Sequence, residues 1–156
     1  MRAILACDPD GGIGYKNSLP WSYLEGDLKR FKDLTTGQVI VMGRNTWESL
    51  PKKPLPHRLN LVVSTQKLEL PPGALCIDSL SHFSVFKDAW IIGGSKLILS
   101  AWDLIDTIHL SVTHAKYTCD THIDLVKLKS EFRCVAGQNQ RDHVYEIWER
   151  TQWNNI

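Results

Sequence analysis

Apolar residues along this chain fall into short unbroken runs closed by turn formers. Ala3–Cys7 runs into Asp8-Pro9-Asp10-Gly11-Gly12, Val39–Met42 is closed by Gly43, Leu59–Val63 by Ser64, and Trp90–Ile92 by Gly93-Gly94. Runs of this length without polar alternation predict strands buried on both faces. Between them the spacing predicts helices over Tyr23–Leu34, Leu80–Phe86 and Lys96–Trp102, and a short helical turn over Arg44–Leu50. Strands alternating with helices need crossover connections, hence a mostly parallel sheet covered on both sides. In the last third the character changes. Thr107–Thr113, Glu131–Ala136 and His143–Arg150 are strand-like with no helical pattern between them, so hairpin-like strands are expected to complete a mixed sheet. Pro51–His57 and Thr65–Gly73 read as surface connections.

Composition narrows the class without naming it. At 156 residues the chain is expected to form one domain, residues 1–156, with a single core. Lys+Arg is 18 against 17 for Asp+Glu, a net charge of +1, so no global field favours nucleic acid or an anionic membrane. With 43% hydrophobic and 22% charged residues, disorder, collagen and coiled coil are excluded. Cys7, Cys76, Cys119 and Cys134 form no C-x-x-C pair, which removes zinc ribbons and dithiol redox motifs and suits a reducing cytoplasm. Ile4-Leu5-Ala6-Cys7 has only a faint likeness to a lipoprotein cleavage site, and the mature chain is expected to begin at Met1. No apolar stretch reaches the roughly 18–20 residues of a membrane helix.

Three constellations carry chemistry. On a helix over Tyr23–Leu34, Leu24, Leu28 and Phe31 make one apolar stripe with Asp27 at its edge, while Glu25, Lys29, Arg30 and Lys32 lie off it. Such a carboxylate either faces a cleft or snorkels to solvent. Met42-Gly43-Arg44-Asn45-Thr46 and Ile92-Gly93-Gly94-Ser95-Lys96 each join a strand to a helical pattern, offering free N–H groups to a phosphate or merely capping a helix. Two such turns, one with Arg44, hint at a ligand carrying several phosphates, although neither a P-loop nor a Rossmann fingerprint can be written. Arg58 follows Pro54-Leu55-Pro56-His57, where a stiffened approach suits a two-pronged grip on a carboxylate; a solvated surface arginine is the plainer reading. The six histidines show no metal-ligand pattern, and no metal is expected. Neither G-x-S-x-G nor a Cys/His nucleophile signature is present.

Taken in order, these items resemble one family. Ile13-Gly14-Tyr15-Lys16-Asn17-Ser18-Leu19-Pro20-Trp21, Asp27-Leu28, Phe31-Lys32, Val41–Ser49, Pro54–Arg58, Ile91–Gly94, Asp120-Thr121-His122 and Tyr145–Glu149 follow the pattern of dihydrofolate reductase, of the chromosomal bacterial or phage type, over essentially the whole chain. The resemblance implies an α/β single domain: an eight-stranded, mostly parallel mixed sheet with an antiparallel C-terminal strand and flanking helices. It implies NADPH-dependent reduction of 7,8-dihydrofolate to 5,6,7,8-tetrahydrofolate for one-carbon metabolism and thymidylate synthesis. Hydride would pass to pterin C6 and a proton to N5. The catalytic set would be Asp27, Ser111, and Leu19 and Trp21 of a mobile loop, Gly14–Trp21, that closes over the nicotinamide. Ile4, Leu5, Ala6 and Ile92 would line the pterin pocket, Leu28, Phe31 and Leu50 would clasp the aminobenzoyl ring, and Arg58 would hold the glutamate α-carboxylate. Gly43, Arg44, Asn45, Thr46, Ser64 and Thr65 would take the adenosine side with its 2′-phosphate. Gly93, Gly94, Ser95, Lys96, Leu97 and Ile98 would take the pyrophosphate region, and Ala6, Ile13, Gly14, Asn17, Leu19 and Ile92 would complete the cofactor contacts. Antifolates such as methotrexate or trimethoprim would compete with substrate, and a cytoplasmic monomer without nucleic-acid or membrane partners is expected.

Three departures from the family pattern bear on the chemistry. Counting back from Asp120 puts Ser111 where the family usually has a threonine bonded to the carboxylate, with Thr113 the alternative if the strand is shifted. Ile98 replaces a tyrosine common beside the nicotinamide, and Cys119 replaces a glycine before Asp120-Thr121. Two rivals are weighed: a pyrimidine reductase of riboflavin synthesis, which would not need both Asp27 and Arg58, and an idle nucleotide-binding subunit, which would not need Asp27.

Overall fold

The computed structural model describes residues 1–80 and 87–151. The chain order is β1 (Arg2–Cys7), β2 (Gly12–Gly14), α1 (Asp27–Thr35), β3 (Val39–Gly43), α2 (Arg44–Ser49), β4 (Leu59–Val63), β5 (Ala74–Ile77), β6 (Trp90–Gly93), α3 (Ser95–Ser100), a 3-10 turn (Trp102–Leu104), β7 (Thr107–Thr113), β8 (Thr121–His122), α4 (Leu125–Glu131), β9 (Phe132–Asn139) and β10 (His143–Arg150). The helix expected over Leu80–Phe86 falls on residues outside those described. No described helix is long and apolar enough to cross a membrane.

Eight strands form one sheet in the order β5-β4-β3-β6-β1-β7-β10-β9, while β2 and β8 pair separately. Every pair from β5 to β7 is parallel, and β10 runs antiparallel to both β7 and β9. β10 alone is therefore reversed in that sheet. The unbroken apolar runs divide between two cores because successive side chains leave a strand on opposite faces. Val41, Leu61 and Ile91 join Ile98, Trp102, Ile108, Leu110 and Phe132 in one core. Their neighbours Ile40, Met42, Val62 and Trp90 join Trp47 and Ala74 in the other.

Three expectations need correction, and one strand was not expected. The first helix starts at Asp27 and not at Tyr23, because Gly26 sits at φ 79°, a left-handed conformation that a right-handed helix cannot absorb. Leu24 is consequently buried outside the helix and Leu28 is 65% exposed, so the stripe Leu24-Leu28-Phe31 does not exist. Thr65–Gly73 is a connection, but the residues after it form β5, a strand too short and too close to Pro71-Pro72-Gly73 to stand out. Helix α4 occupies a region read as free of helical spacing. It is started by Asp124, whose carboxylate accepts from Lys127 N (3.0 Å), and anchored by the fully buried Leu128, so Glu131 ends a helix and does not begin a strand.

Because the strands from β5 to β7 are parallel, their carboxyl ends share one edge. The turns after β1, β3, β4 and β6 line that edge, the place where open α/β sheets bind ligands.

Candidate active site

Asp27 is the first residue of α1, where the helix dipole favours an anion, and its side chain is 26% exposed. Ser111 on β7 donates to Asp27 Oδ1 at 2.7 Å. Thr113 Oγ1 donates instead to Ala115 O (2.7 Å), so the register places Ser111 against the carboxylate. Ser111 pairs with Ala6 across β1–β7, and both Ile4 and Ala6 alternate with Leu5. Ile4 packs against the core containing Trp90 and Leu5 against the opposite one, which leaves Leu5 only its backbone to offer the pocket named for it. Phe31 and Leu50 are half-buried beside Asp27's helix and α2.

Arg30 was expected off the apolar stripe. In the fold it turns inward, because residues three apart share a helix face and α1 begins at Asp27. Its Nη1 lies 3.5 Å from Asp27 Oδ1, 3.4 Å from Ser111 Oγ and 3.3 Å from His143 Nε2, and the guanidinium stacks 4.0 Å from the Tyr145 ring centroid. His143 is fully buried, and nothing in the local sequence marks it or Arg30.

Arg58 donates to Thr35 Oγ1 (3.0 Å) and to Pro56 O (2.9 Å), and its guanidinium lies over Phe31. Partial burial lowers its pKa. The loop that presents it is pinned by Asn60, a buried polar residue in an apolar strand: its amide accepts from Leu55 N and donates to Leu55 O and Arg58 O, each at 3.0 Å. A lone asparagine in Leu59–Val63 was the available signal.

The loop Gly14–Trp21 is strapped rather than loose at its base. Tyr15 and Ser18 bond each other's backbones across a tight turn, Lys16 N donates to Asp120 Oδ2 (2.9 Å), and Asp120 N donates to Gly14 O (2.9 Å). The Lys16 N–H and then the Thr121 hydroxyl hold the Asp120 carboxyl below its ordinary range. Trp21 is buried edge-on against Tyr117, whereas Leu19 is 57% exposed and Asn17 lies on the turn at φ 62°. Cys119 Sγ occupies the space beside Gly12, where an added Cβ would come within 2.3 Å of it.

At the other end, the turns after β3 and β6 meet. A Cβ added to Gly43 would lie 3.8 Å from Gly94 N, and one added to Gly93 would meet Thr46 Oγ1 at 3.2 Å. Gly93 has φ 136°, which a side chain would strain. Side chains at these positions would crowd the opposite turn, so both turns present bare backbone. Arg44 donates to Glu48 (2.9 Å) and to Gln66, which ties α2 to the turn carrying Ser64 and Thr65. A cavity of about 740 Å³ opens beside this turn, with Ser64, Thr65, Lys67, Cys76 and Asp78 among its lining. Ser95 and Lys96 reach this edge, while Leu97 and Ile98 point into the core. Bare glycine turns, an exposed guanidinium and hydroxyls fit the phosphates and ribose of a dinucleotide.

Bare glycine turns on one side and a braced carboxylate on the other, at the carboxyl-end edge of one parallel sheet, are the arrangement of an α/β enzyme. The sequence profile of dihydrofolate reductase matches residues 1–150. The type 8 dihydrofolate reductase of Escherichia coli is 35% identical over 164 residues, covering 97% of this chain and 96% of its own. That of Buchnera aphidicola subsp. Acyrthosiphon pisum is 39% identical over 149 residues, covering 88% and 91%. The solved dihydrofolate reductase from Enterococcus faecalis, complexed with NADP(H) and RAB-propyl, superposes with a TM-score of 0.81 at 29% identity, covering 97% of this chain and 96% of that one. The chain belongs to the dihydrofolate reductase family.

Proposed function

We propose that the chain reduces 7,8-dihydrofolate to 5,6,7,8-tetrahydrofolate with NADPH, and that Asp27 is the ionisable group at the pterin. The contact between Ser111 and the Asp27 carboxylate, at the strand-end edge of the sheet, carries the reading. Asp27 grips the pterin 2-amino group and N3 and favours protonation of N5 through ordered water. Ser111 fixes the carboxylate's rotamer. Ile4, Ala6, Ile92 and the Leu5 backbone line the ring's pocket. Leu28, Phe31 and Leu50 flank the aminobenzoyl group, and Arg58, oriented by Thr35 and Pro56, pairs with the glutamate α-carboxylate.

When bound, NADPH supplies the hydride taken up at pterin C6. Gly43, Arg44, Asn45, Thr46, Ser64 and Thr65 hold its adenosine side, Gly93 to Ile98 the pyrophosphate region, and Ala6, Ile13, Gly14, Asn17, Leu19 and Ile92 the remaining contacts. Closure of the Gly14–Trp21 loop, with Leu19 and Trp21, excludes water from the transfer. The chain acts as a single catalytic domain and a cytoplasmic monomer supplying one-carbon metabolism and thymidylate synthesis, and antifolates such as methotrexate or trimethoprim compete with its substrate. The test is the loss of NADPH absorbance with dihydrofolate added and then omitted. Oxidation that does not depend on dihydrofolate overturns the reading.

A further inference from the structure

Behind Asp27 the sheet face is polar where a core is expected to be apolar. β7 contributes His109 and Ser111, β10 contributes His143 and Tyr145, and the register sets Ser111 directly opposite Tyr145. Helix α1 covers this patch with Asp27 and Arg30. The hydrogen-bond roles resolve into one chain. A guanidinium can only donate, so His143 Nε2, 3.3 Å from Arg30 Nη1, must accept. His143 Nδ1 then carries the proton and donates to Asp142 Oδ1 at 2.7 Å, and Asp142 Oδ2 in turn accepts from Glu25 N at 3.0 Å. Arg30 is thus held from behind by the His143 ring and from one face by the Tyr145 ring, with its charge directed at Ser111 and Asp27 Oδ1.

We propose that Arg30 is a positioning residue for the proton step: it sets the orientation of the Asp27 carboxylate and supplies the fixed positive charge beside it, and is itself fixed by His143 and Tyr145. This rests on Asp27 being the ionisable group at the pterin. Asp27 is faced by Arg30 from α1 and Ser111 from β7; His143 and Tyr145 from β10 hold Arg30, His109 from β7 lies against Tyr145, and Asp142 lies behind His143. Arg30 is the permanent cation among them. His109 adds no competing charge near neutrality, since burial, and then Arg2 and Arg30, push it down to about 4. His109 is further occupied by the Tyr145 hydroxyl. A fixed cation beside the carboxylate disfavours any proton held there or on the pterin next to it, so its removal makes protonation easier in either place.

The test compares wild type, Arg30→Gln, Arg30→Lys and Asp27→Asn. Glutamine keeps a donor for His143 and Ser111 while removing the charge, and Arg30→Met serves as the second neutral variant should glutamine fail to fold. The titration midpoint of the Asp27 carboxyl is read by carbon-detected NMR on the ligand-free protein, with Asp27→Asn assigning the signal. In the neutral variant the midpoint is expected to rise by about one unit or more, and in Arg30→Lys to rise less. The alkaline limb of the pH profile of turnover should move upward with it, which a residue that merely supports the fold would not cause. A midpoint in the neutral variant within about 0.3 unit of wild type, a twofold change in equilibrium, overturns the proposal. A midpoint that rises while the turnover profile stays in place removes Asp27 from the proton step and Arg30's part in the reaction with it. An Asp27→Asn variant without activity, beside an Asp27 midpoint unmoved in Arg30→Gln, sinks the Arg30 proposal alone.

Discussion

The two ends of the cleft are built on opposite principles. At the carboxylate end, working groups sit on regular elements far apart in sequence: Asp27 and Arg30 on α1, Ser111 on β7, His143 and Tyr145 on β10. They are partly or fully buried and brace one another. At the other end, proposed for the nucleotide, the groups are backbone turns and exposed or half-buried side chains, Gly43-Arg44, Ser64-Thr65 and Gly93-Gly94, each close to a strand it terminates. A carboxylate that must keep one orientation needs packing and neighbours that lock its rotamer. A phosphate needs unobstructed N–H groups, which a short turn supplies by leaving out side chains. Loss of a single group should therefore be felt hardest at the carboxylate end.

Asp27→Asn gives the largest expected effect. It keeps the shape, and so should fold and bind NADPH, yet it removes the acid, and positioned proton transfer is worth on the order of 10²–10⁴ in rate. Turnover within about threefold of wild type near neutral pH would take Asp27 out of the mechanism. Arg58→Leu comes next: the affinity for dihydrofolate should fall by roughly 10- to 150-fold, the span of a lost charged hydrogen-bonding partner. A dihydropterin lacking the aminobenzoylglutamate tail should be turned over almost as by wild type, and Arg58→Lys should recover only part of the loss because an ammonium has no planar fork. Equal damage to both substrates in kcat/KM would mean that Arg58 serves the loop pinned by Asn60 instead.

Arg44→Leu should cost about tenfold in NADPH affinity, near the low end for a charged contact, since Arg44 is exposed and already paired with Glu48. NADH, without the 2′-phosphate, should bind with little change, and equal losses in a titration of the two cofactors would refute the assignment. The smallest effect is expected at Asp120. Its carboxyl is held below the ordinary range by Lys16 and Thr121, so it binds the loop fully above that range and releases it only as pH falls through the lowered value. Hydrogen exchange at the Lys16 amide should stay slow down to below about pH 4. In Asp120→Ala it should be fast throughout, with turnover changed only modestly. Unaltered exchange in that variant would show that the loop does not depend on this strap.

What could be read directly follows the same division. The strands β3, β4 and β6 are legible because parallel strands buried on both faces must be continuously apolar, and the glycine turns after β3 and β6 because each is a local signature. The start of α1 was misplaced because helical spacing says nothing about a single left-handed residue, Gly26, which overrides it. Helix α4 was hidden because its signal is one cap at Asp124 and one buried Leu128.

The sequence by itself determined the alternation of strands and helices, the positions of the glycine turns after β3 and β6, and, through motifs in fixed order, the family. Only the tertiary structure decided that Ser111 and not Thr113 meets Asp27, that Leu5 faces away from Ile4 and Ala6, and that Arg30 turns inward to His143. Each of these depends on strand register or on residues more than eighty positions apart. A one-residue shift of β7 would turn its whole polar face away from the helix. No local pattern encodes such a pairing, because its energy comes from burying two distant segments against one another.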